Sequence, residues 1–210
     1  AIDGPAASGK GTLARRLAQH LDYAYLDTGK IYRAVGLGVV RTGGDPEDEA
    51  AATAVAEALS PAALDDPDLK SDEAAQAASK AAAHTPVRDA LLAFQRNFAA
   101  TPPGGKEGAI LDGRDIGTVV CPDAPVKLFV SASVEVRAKR RHKELLDRGE
   151  SSIYQRVLED LKERDDRDRN RATAPLKPAE DATTLDTSEM TPDEAFDAAL
   201  DVITRIAEGH

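Results

Sequence analysis

Tryptophan is absent from this 210-residue chain, and four Phe with four Tyr bring the aromatic content to only 4%. The core must therefore be aliphatic. At 41% hydrophobic content, the chain can bury one sizeable core but hardly two independent domains. A lone cysteine, Cys121, excludes an internal disulfide, and its place before Pro122 reads as a small buried residue rather than a reactive thiol. The four histidines lack metal-ligand spacing. No apolar run nears the ~20 residues of a membrane span, and no signal-like segment opens the chain. A soluble, reducing, cytoplasmic setting is expected. Ala1-Ile2-Asp3 reads as the inside of a strand, with a few residues expected to precede it.

Positive charge is also in deficit. Twenty-seven Lys and Arg against 37 Asp and Glu give a net charge of −10, which argues against a broad basic face for nucleic acid. Residues 137–171 reverse the balance, with 12 basic and 9 acidic side chains, so a local anion site can exist within an acidic protein. The expected partners are small anions, with no nucleic acid and no membrane. The mostly charged surface shows no sign of an obligate interface, so a monomer is expected.

What is present is an alternation of strands and helices. Leu13, Leu17 and Leu21 recur at helical spacing, and Tyr23 to Leu26 reads as a short strand. Ala109 to Leu111, Val126 to Val130 and, more weakly, Thr183 to Leu185 read as further strands. Helical patterns run near 87–98, 134–146, 153–169 and 194–206. The class is α/β, a parallel sheet flanked by helices. Residues 45–83 are rich in Ala, Asp and Glu, with turn signals at Ser60-Pro61 and Asp66-Pro67, and read as short surface helices forming a flap.

Gly4-Pro5-Ala6-Ala7-Ser8-Gly9-Lys10 stands between the first strand and the first helix. Gly, four residues, then Gly-Lys is the phosphate-loop spacing. Its N–H groups and helix N-terminus face an anion, and Lys10 adds a full charge toward the outer phosphates. The strict pattern continues with Ser or Thr, whereas here Gly11 precedes Thr12. Residues Gly4 to Thr12 are the candidate ATP site.

Asp27-Thr28-Gly29-Lys30-Ile31-Tyr32-Arg33 follows the second strand, at the edge where open α/β sheets bind ligands. Asp27 and Thr28 read either as a helix cap or as part of a site that Arg33 completes. Asp112 ends a buried strand, suited to hold Mg²⁺ through water or to form a turn before Gly113, with Arg114 and Asp115 next. Arg164, Asp168 and Arg171 share one side of a helix. Alternatively that helix is a solvated one laced by pairs such as Asp160 with Arg164 and Glu163 with Arg167. Transfer between ATP and a phosphorylated acceptor gathers about six negative charges, which favours the first reading. Arg137 and Arg141 are either part of the same site or surface charge.

These segments resemble bacterial cytidylate kinase, one of the nucleoside monophosphate kinases. The resemblance rests on Asp3-Gly4-Pro5 with Ser8 to Thr12, on Leu26 to Arg33, and on Ala78-Ser79 with Pro86-Val87-Arg88. Asp112 to Val120, Arg164 to Arg171 and Ala174-Pro175-Leu176 extend it over nearly the whole chain. It implies a P-loop core of about 1–35, 86–148 and 173–210, a monophosphate-binding flap of about 36–85, and an Arg-rich lid of about 149–172. Arg33, Arg114 and Arg171 would hold the acceptor phosphate, and Arg164 and Asp168 the ribose. Ser79, Arg88 and Asp115 would read cytosine, with Thr28 in the same CMP site. Lys10, Arg114, Arg164 and Arg171 would be catalytic, and Asp112 and Thr12 would meet Mg²⁺ through water. The implied reaction is in-line transfer from ATP to CMP or dCMP, without a protein base because the acceptor phosphate is already anionic. Two departures are visible. The stretch from Gly44 to Ser79 is shorter than the stranded insert of many members, and Thr28 replaces a common Ser. Kinases of shikimate or uridylate, and a nucleotide-switched regulatory module, are the competing readings.

Overall fold

The computed structural model describes residues 1–209. Five parallel strands, β1 (Ile2–Asp3), β2 (Ala24–Asp27), β3 (Ala109–Gly113), β4 (Leu128–Ser131) and β5 (Thr183–Asp186), form one sheet in the order β2-β3-β1-β4-β5. From β1 the chain crosses to β2 on one side, and from β4 to β5 on the other. The carboxyl end of β1 therefore lies at a switch point, where such sheets open a crevice.

Helices cover both faces because the strand residues alternate. On β3, Ile110 joins Leu13, Leu17, Leu128, Val130 and Val202 beneath α1 (Lys10–Leu21) and α8 (Pro192–Glu208). The next residue, Leu111, joins Ile31, Val35, Val87 and Leu91 beneath α2 (Thr28–Arg41) and α5 (Thr85–Ala100). This period of two on a sheet buried from both sides produces the unbroken apolar runs of the sequence. Helix starts are set by side chains: Asp27 accepts from the Lys30 N–H at 3.1 Å, and Thr191 and Glu194 form a reciprocal capping box.

The segment expected as a flap contains α3 (Glu49–Glu57), two tight 3₁₀ turns at Pro61–Asp65 and Pro67–Lys70, and α4 (Asp72–Ala81). Helix α2 passes residue 36 unbroken, and α4 packs along it through Ala74, Ala34 and Leu37. The Arg-rich region follows α6 (Val134–Asp147) and consists of α7 (Tyr154–Asn170), held to α6 by Ala138, Leu145, Val157, Leu158 and Leu161.

Two expectations need correction, and one alternative is excluded. The strand expected from Val126 begins at Leu128, because β1 and β5, its neighbours, run out there: the Val126 carbonyl meets the amino group of Ala1 and the Lys127 carbonyl the first N–H of β5, at Thr183. Cys121 is half-exposed at the rim of a core cluster rather than buried, and burial still pushes its thiol up, so it is not a poised thiolate. The alternative reading of α7 falls: neither Asp160 with Arg164 nor Glu163 with Arg167 pairs among the described residues, since Arg164 turns into the cleft described below and Arg167 to Ser79.

Leu17 is fully buried between α1 and the sheet. Leu17→Ala is expected to lower unfolding free energy by about 3–5 kcal/mol, read from the denaturant midpoint at an unchanged slope.

Candidate active site

The loop after β1 owes its path to one close approach. Gly4 has φ +153°, and a Cβ there would lie 2.0 Å from the Val130 carbonyl oxygen on β4. Only glycine fits at that crossing. The loop then bends through Ala7 at φ 58° and Gly9 at φ 89°, and α1 begins with no side chain capping its N–H groups. The Ser8 hydroxyl is buried without a partner. Open N–H groups at a twelve-residue helix, a left-handed bend and an orphan hydroxyl form a nest for an anion. A cavity of about 520 Å³ opens in front of it, lined by the loop, Thr12, Arg140, Thr187, Met190 and Pro192.

The glycine after Lys10 also has a steric cause. A Cβ on Gly11 would lie 3.1 Å from Asp112 Oδ2. The larger residue of the strict phosphate-loop pattern would press on the carboxylate at the end of β3.

On the other side of Lys10 lies a second, narrower pocket of about 70 Å³. Every residue expected at the acceptor lines it: Thr28, Arg33, Ser79, Arg88, Arg114, Asp115, Arg164, Asp168 and Arg171. They come from five places. Thr28 and Arg33 lie on α2, Ser79 on α4 and Arg88 on α5; Arg114 and Asp115 follow β3, and the rest belong to α7 and its end.

Carboxylates hold these cations in place. Arg33 Nη2 donates to Asp27 at 2.5 Å, so Asp27 both caps α2 and braces Arg33. Arg114 Nε donates to Asp168 at 2.9 Å, and Asp168 also accepts from Ser79 at 3.3 Å. Arg88 pairs with Asp115, donates to the Ala82 carbonyl at 3.2 Å and stands 5.3 Å from the Tyr32 ring centre. Yet the positive groups outnumber their partners. Arg33 Nε, Arg164 Nε and Arg171 Nη2 are buried with no hydrogen-bond partner; Arg171 Nη2 comes no closer than 3.8 Å to Asp115.

The crowding is visible in the proton affinities. Lys10 is lowered to about 8, first by burial and then by the Arg114 charge, with Asp112 and Asp27 opposing and Arg164 adding. Arg164 is lowered to about 10 by burial and by Arg114. Burial pushes Asp168 up, but Arg114 and Arg164 outweigh it and hold the carboxyl below its usual range. Asp112 goes the other way, raised by burial despite Lys10, with Asp27 adding to the rise. Where a carboxylate braces the guanidinium, as at Arg88 and Arg114, proton affinity rises instead, so the lowering is confined to Lys10, Arg164 and Arg171.

Some participants escaped the sequence reading. Arg167 donates to Ser79 Oγ at 2.9 Å, and Tyr32 lines the acceptor pocket. Arg140 and Thr187 line the donor cavity, where Arg140 donates to Thr187 Oγ1 at 3.1 Å. Only the Arg-rich composition of 137–171 hinted at Arg140. Thr187, Met190 and Pro192 carried no motif because the donor cavity is closed by a loop remote in sequence. Of the two undecided arginines, Arg141 reaches the cleft and pairs with Asp72 of α4 and Glu144, whereas Arg137 lies behind it.

A phosphate loop joined through one lysine to an arginine-lined second anion pocket defines a P-loop kinase with a phosphorylated acceptor, the arrangement of the nucleoside monophosphate kinases. Comparison with known proteins narrows this. The family model described as cytidylate kinase matches residues 1–205. Cytidylate kinase from Paramagnetospirillum magneticum is 66% identical over 203 residues, covering 97% of this chain and 96% of its own. Those of Rhodospirillum rubrum and Rhodopseudomonas palustris are 60% and 54% identical, covering 97% and 100% of this chain and 95% and 97% of theirs. The chain belongs to the cytidylate kinase family. The crystal structure of an uncharacterized protein from Eubacterium ventriosum shares the fold at a TM-score of 0.51, with 13% identity over 98% of this chain and 96% of that one.

The lowered Lys10 makes a measurable prediction. A polyphosphate beside it favours the charged form, so at about pH 9 binding of a nucleotide triphosphate should draw in a proton. Calorimetry in two buffers of different ionisation enthalpy should register uptake for the wild type and none for Lys10→Met.

Proposed function

We propose that the chain transfers the terminal phosphoryl group of ATP to CMP and to dCMP, giving ADP with CDP or dCDP. The observation that carries this reading is the convergence on one pocket beside Lys10 of three arginines that each keep a buried N–H without a partner, Arg33 at Nε, Arg164 at Nε and Arg171 at Nη2. Buried donors without partners are costly, and an acceptor phosphate supplies the missing oxygens. Arg114 adds charge at the same place, so Lys10, Arg114, Arg164 and Arg171 are the groups proposed to stabilise the transferring phosphoryl, and Arg33, Arg114 and Arg171 to hold the acceptor phosphate. The acceptor is already ionised, so no side chain is required as a base.

The donor would lie along Gly4 to Thr12, its phosphates on the open N–H groups of the loop. Mg²⁺ fits the remaining donor set. Asp112 is a buried carboxylate with raised proton affinity whose hydrogen-bond partner among the described side chains is the Tyr25 hydroxyl, at 3.2 Å. No group of three or more metal-binding side chains converges among the described residues, which matches a cation held mainly by waters and phosphates with one carboxylate. Asp112, and Thr12 through water, would hold it, and the cation would neutralise charge between the phosphates.

For the base, Asp115 would accept from the cytosine amino group while Arg88 and Ser79 meet its ring acceptors. Uracil presents a carbonyl to the same carboxylate and loses that bond. Arg164 and Asp168 would meet the ribose. Asp168 already has Ser79 and Arg114 as partners, so a missing 2′-hydroxyl leaves no buried carboxylate stranded, which supports acceptance of dCMP. A nucleotide needs a site of several hundred Å³, far above the 70 Å³ between these side chains. The pocket shares Lys10, Asp27, Arg33, Arg114 and Arg164 with a wider cavity of about 940 Å³, through which a nucleotide would enter before α4 and α7, the proposed flap and lid, close over it. The large apolar side chains left exposed are few, Tyr23 before β2, Phe94 on α5, and Leu146 and Ile153 either side of the α6–α7 connection, which supports a monomer. No described helix is long and apolar enough to cross a membrane, and we place the enzyme in the cytoplasm.

ADP release with Mg-ATP and CMP, dCMP, UMP, AMP or shikimate tests the reading, with products separated by chromatography. CDP and dCDP should dominate; dominant UDP, or ADP formed from AMP, would reject the proposed base contacts. Asp115→Asn should narrow the CMP over UMP preference in kcat/KM about tenfold, since its amide can donate to the uracil carbonyl. Arg171→Met should reduce kcat about a hundredfold with little change in ATP affinity, because it removes one donor aimed at the acceptor phosphate.

A further inference from the structure

Arg137 is among the most deeply buried side chains of the molecule at 2% exposure, and nothing in the transfer reaction proposed above uses it. It lies in the first turns of α6 and touches neither cavity. Its guanidinium nevertheless joins three separate parts of the enzyme. Nε donates to the Ala132 carbonyl at 2.9 Å, just after β4. Nη1 donates to the Ala6 carbonyl in the phosphate loop at 3.2 Å and to Asp165 Oδ1 at 3.1 Å. Nη2 donates to Asp165 Oδ2 at 2.5 Å, completing a bidentate pair.

Each end of this bridge sits one bond from a group that would bind substrate. In a planar trans peptide the C=O and the following N–H point in opposite directions. Drawing the Ala6 carbonyl outward to Arg137 therefore turns the Ala7 N–H inward, toward the donor cavity that Ala7 lines. Ala7 holds φ 58°, a left-handed conformation that costs energy for a residue with a Cβ and persists only under outside constraint. At the other end, Asp165 directly follows Arg164 and lies on the same turn of α7 as Asp168. A lateral shift or rotation of α7 would carry both out of the acceptor pocket.

We infer that Arg137 is a positioning residue that sets the donor loop and the acceptor arginines in one fixed relation. In-line transfer needs the donor phosphorus and acceptor oxygen held in register, and they are bound by different elements. Arg137 is the side chain that contacts both the loop and α7 from behind, so it carries alignment rather than charge to the reacting atoms. The inference rests on the proposed kinase reaction, but its binding arm does not depend on turnover.

A bulk stabilising role is separable, because a buried ion pair can be exchanged for apolar side chains of similar volume with little loss of stability. The decisive variant is the double replacement Arg137→Met with Asp165→Leu, alongside Arg137→Lys, which keeps a charge opposite Asp165 but loses the fork that also reaches Ala6. Unfolding midpoints, ATP affinity by calorimetry, and kcat and KM for CMP are measured on each. The double variant is expected to fold with a somewhat lower midpoint, since the Ala6 and Ala132 carbonyls lose a donor, and to bind ATP about tenfold more weakly and turn over about a hundredfold more slowly. Arg137→Lys should fold and show weaker ATP binding with a smaller fall in kcat. A folded double variant with wild-type kcat and ATP affinity overturns the inference. So does Arg137→Lys at wild-type ATP affinity, whether or not the double variant folds. Failure of the kinase reading itself would appear differently, as a wild-type protein that binds ATP yet phosphorylates no monophosphate.

Discussion

Mutual repulsion among positive charges is the constraint on which this structure is built. Lys10, Arg33, Arg88, Arg114, Arg164 and Arg171 line one pocket, partly or wholly out of water. Such a cluster would open the protein unless it were balanced, and the balance comes from carboxylates contributed by the same few segments. Asp27 braces Arg33, Asp168 braces Arg114, and Asp115 braces Arg88. The compensation stops short of neutralising every N–H, and the shortfall has the shape of an anion. Lys10 lowered to about 8 and Arg164 to about 10 report the same deficit in another currency.

Backbone constraints serve that arrangement. Gly4 lets β1 run against β4 closely enough for the loop to turn at the switch point, and Gly11 clears room for Asp112 at the end of β3. Asp3 extends the pattern, accepting from the Ile116 and Gly117 N–H groups at 2.8 Å each. It thereby fixes the turn that follows Asp115. Burial raises Asp3 to about 6 even so, a cost borne to tie the donor loop to the segment proposed to read the base. Arg137, from α6, ties the same loop to α7 through the Ala6 carbonyl and Asp165.

Much of this was legible in the residues. The phosphate-loop spacing, the apolar runs of β3 and β4, and the four-residue spacing of Arg164 and Asp168 each state a local geometry that folding preserved, whereas Arg171 lies just past the end of α7 in extended backbone and reaches the same pocket from there. Residues 45–83 read as short helices, and α3 and α4 are short helices. Where reading by local pattern failed, a distant partner had intervened. The i,i+4 pairs of α7 are sound for an isolated helix, but Ser79 on α4 claims Arg167, and the cleft claims Arg164. β4 starts later than its apolar run because its register is set by two distant neighbours, β1 and β5, whose pairing begins at Leu128.

The sequence by itself determined which residue types could meet phosphate, because glycine spacing and arginine content are chemical facts that need no coordinates. It also determined the layered α/β class, since runs apolar on both faces demand helices on both sides. Tertiary structure alone decided which arginines have partners and which are left open. Pairing depends on distances between segments separated by tens of residues, such as Arg114 and Asp168, or Arg137 and the Ala6 carbonyl. Local sequence encodes the charge of a side chain, but only the packed fold decides how much water, and which counter-charge, that side chain keeps.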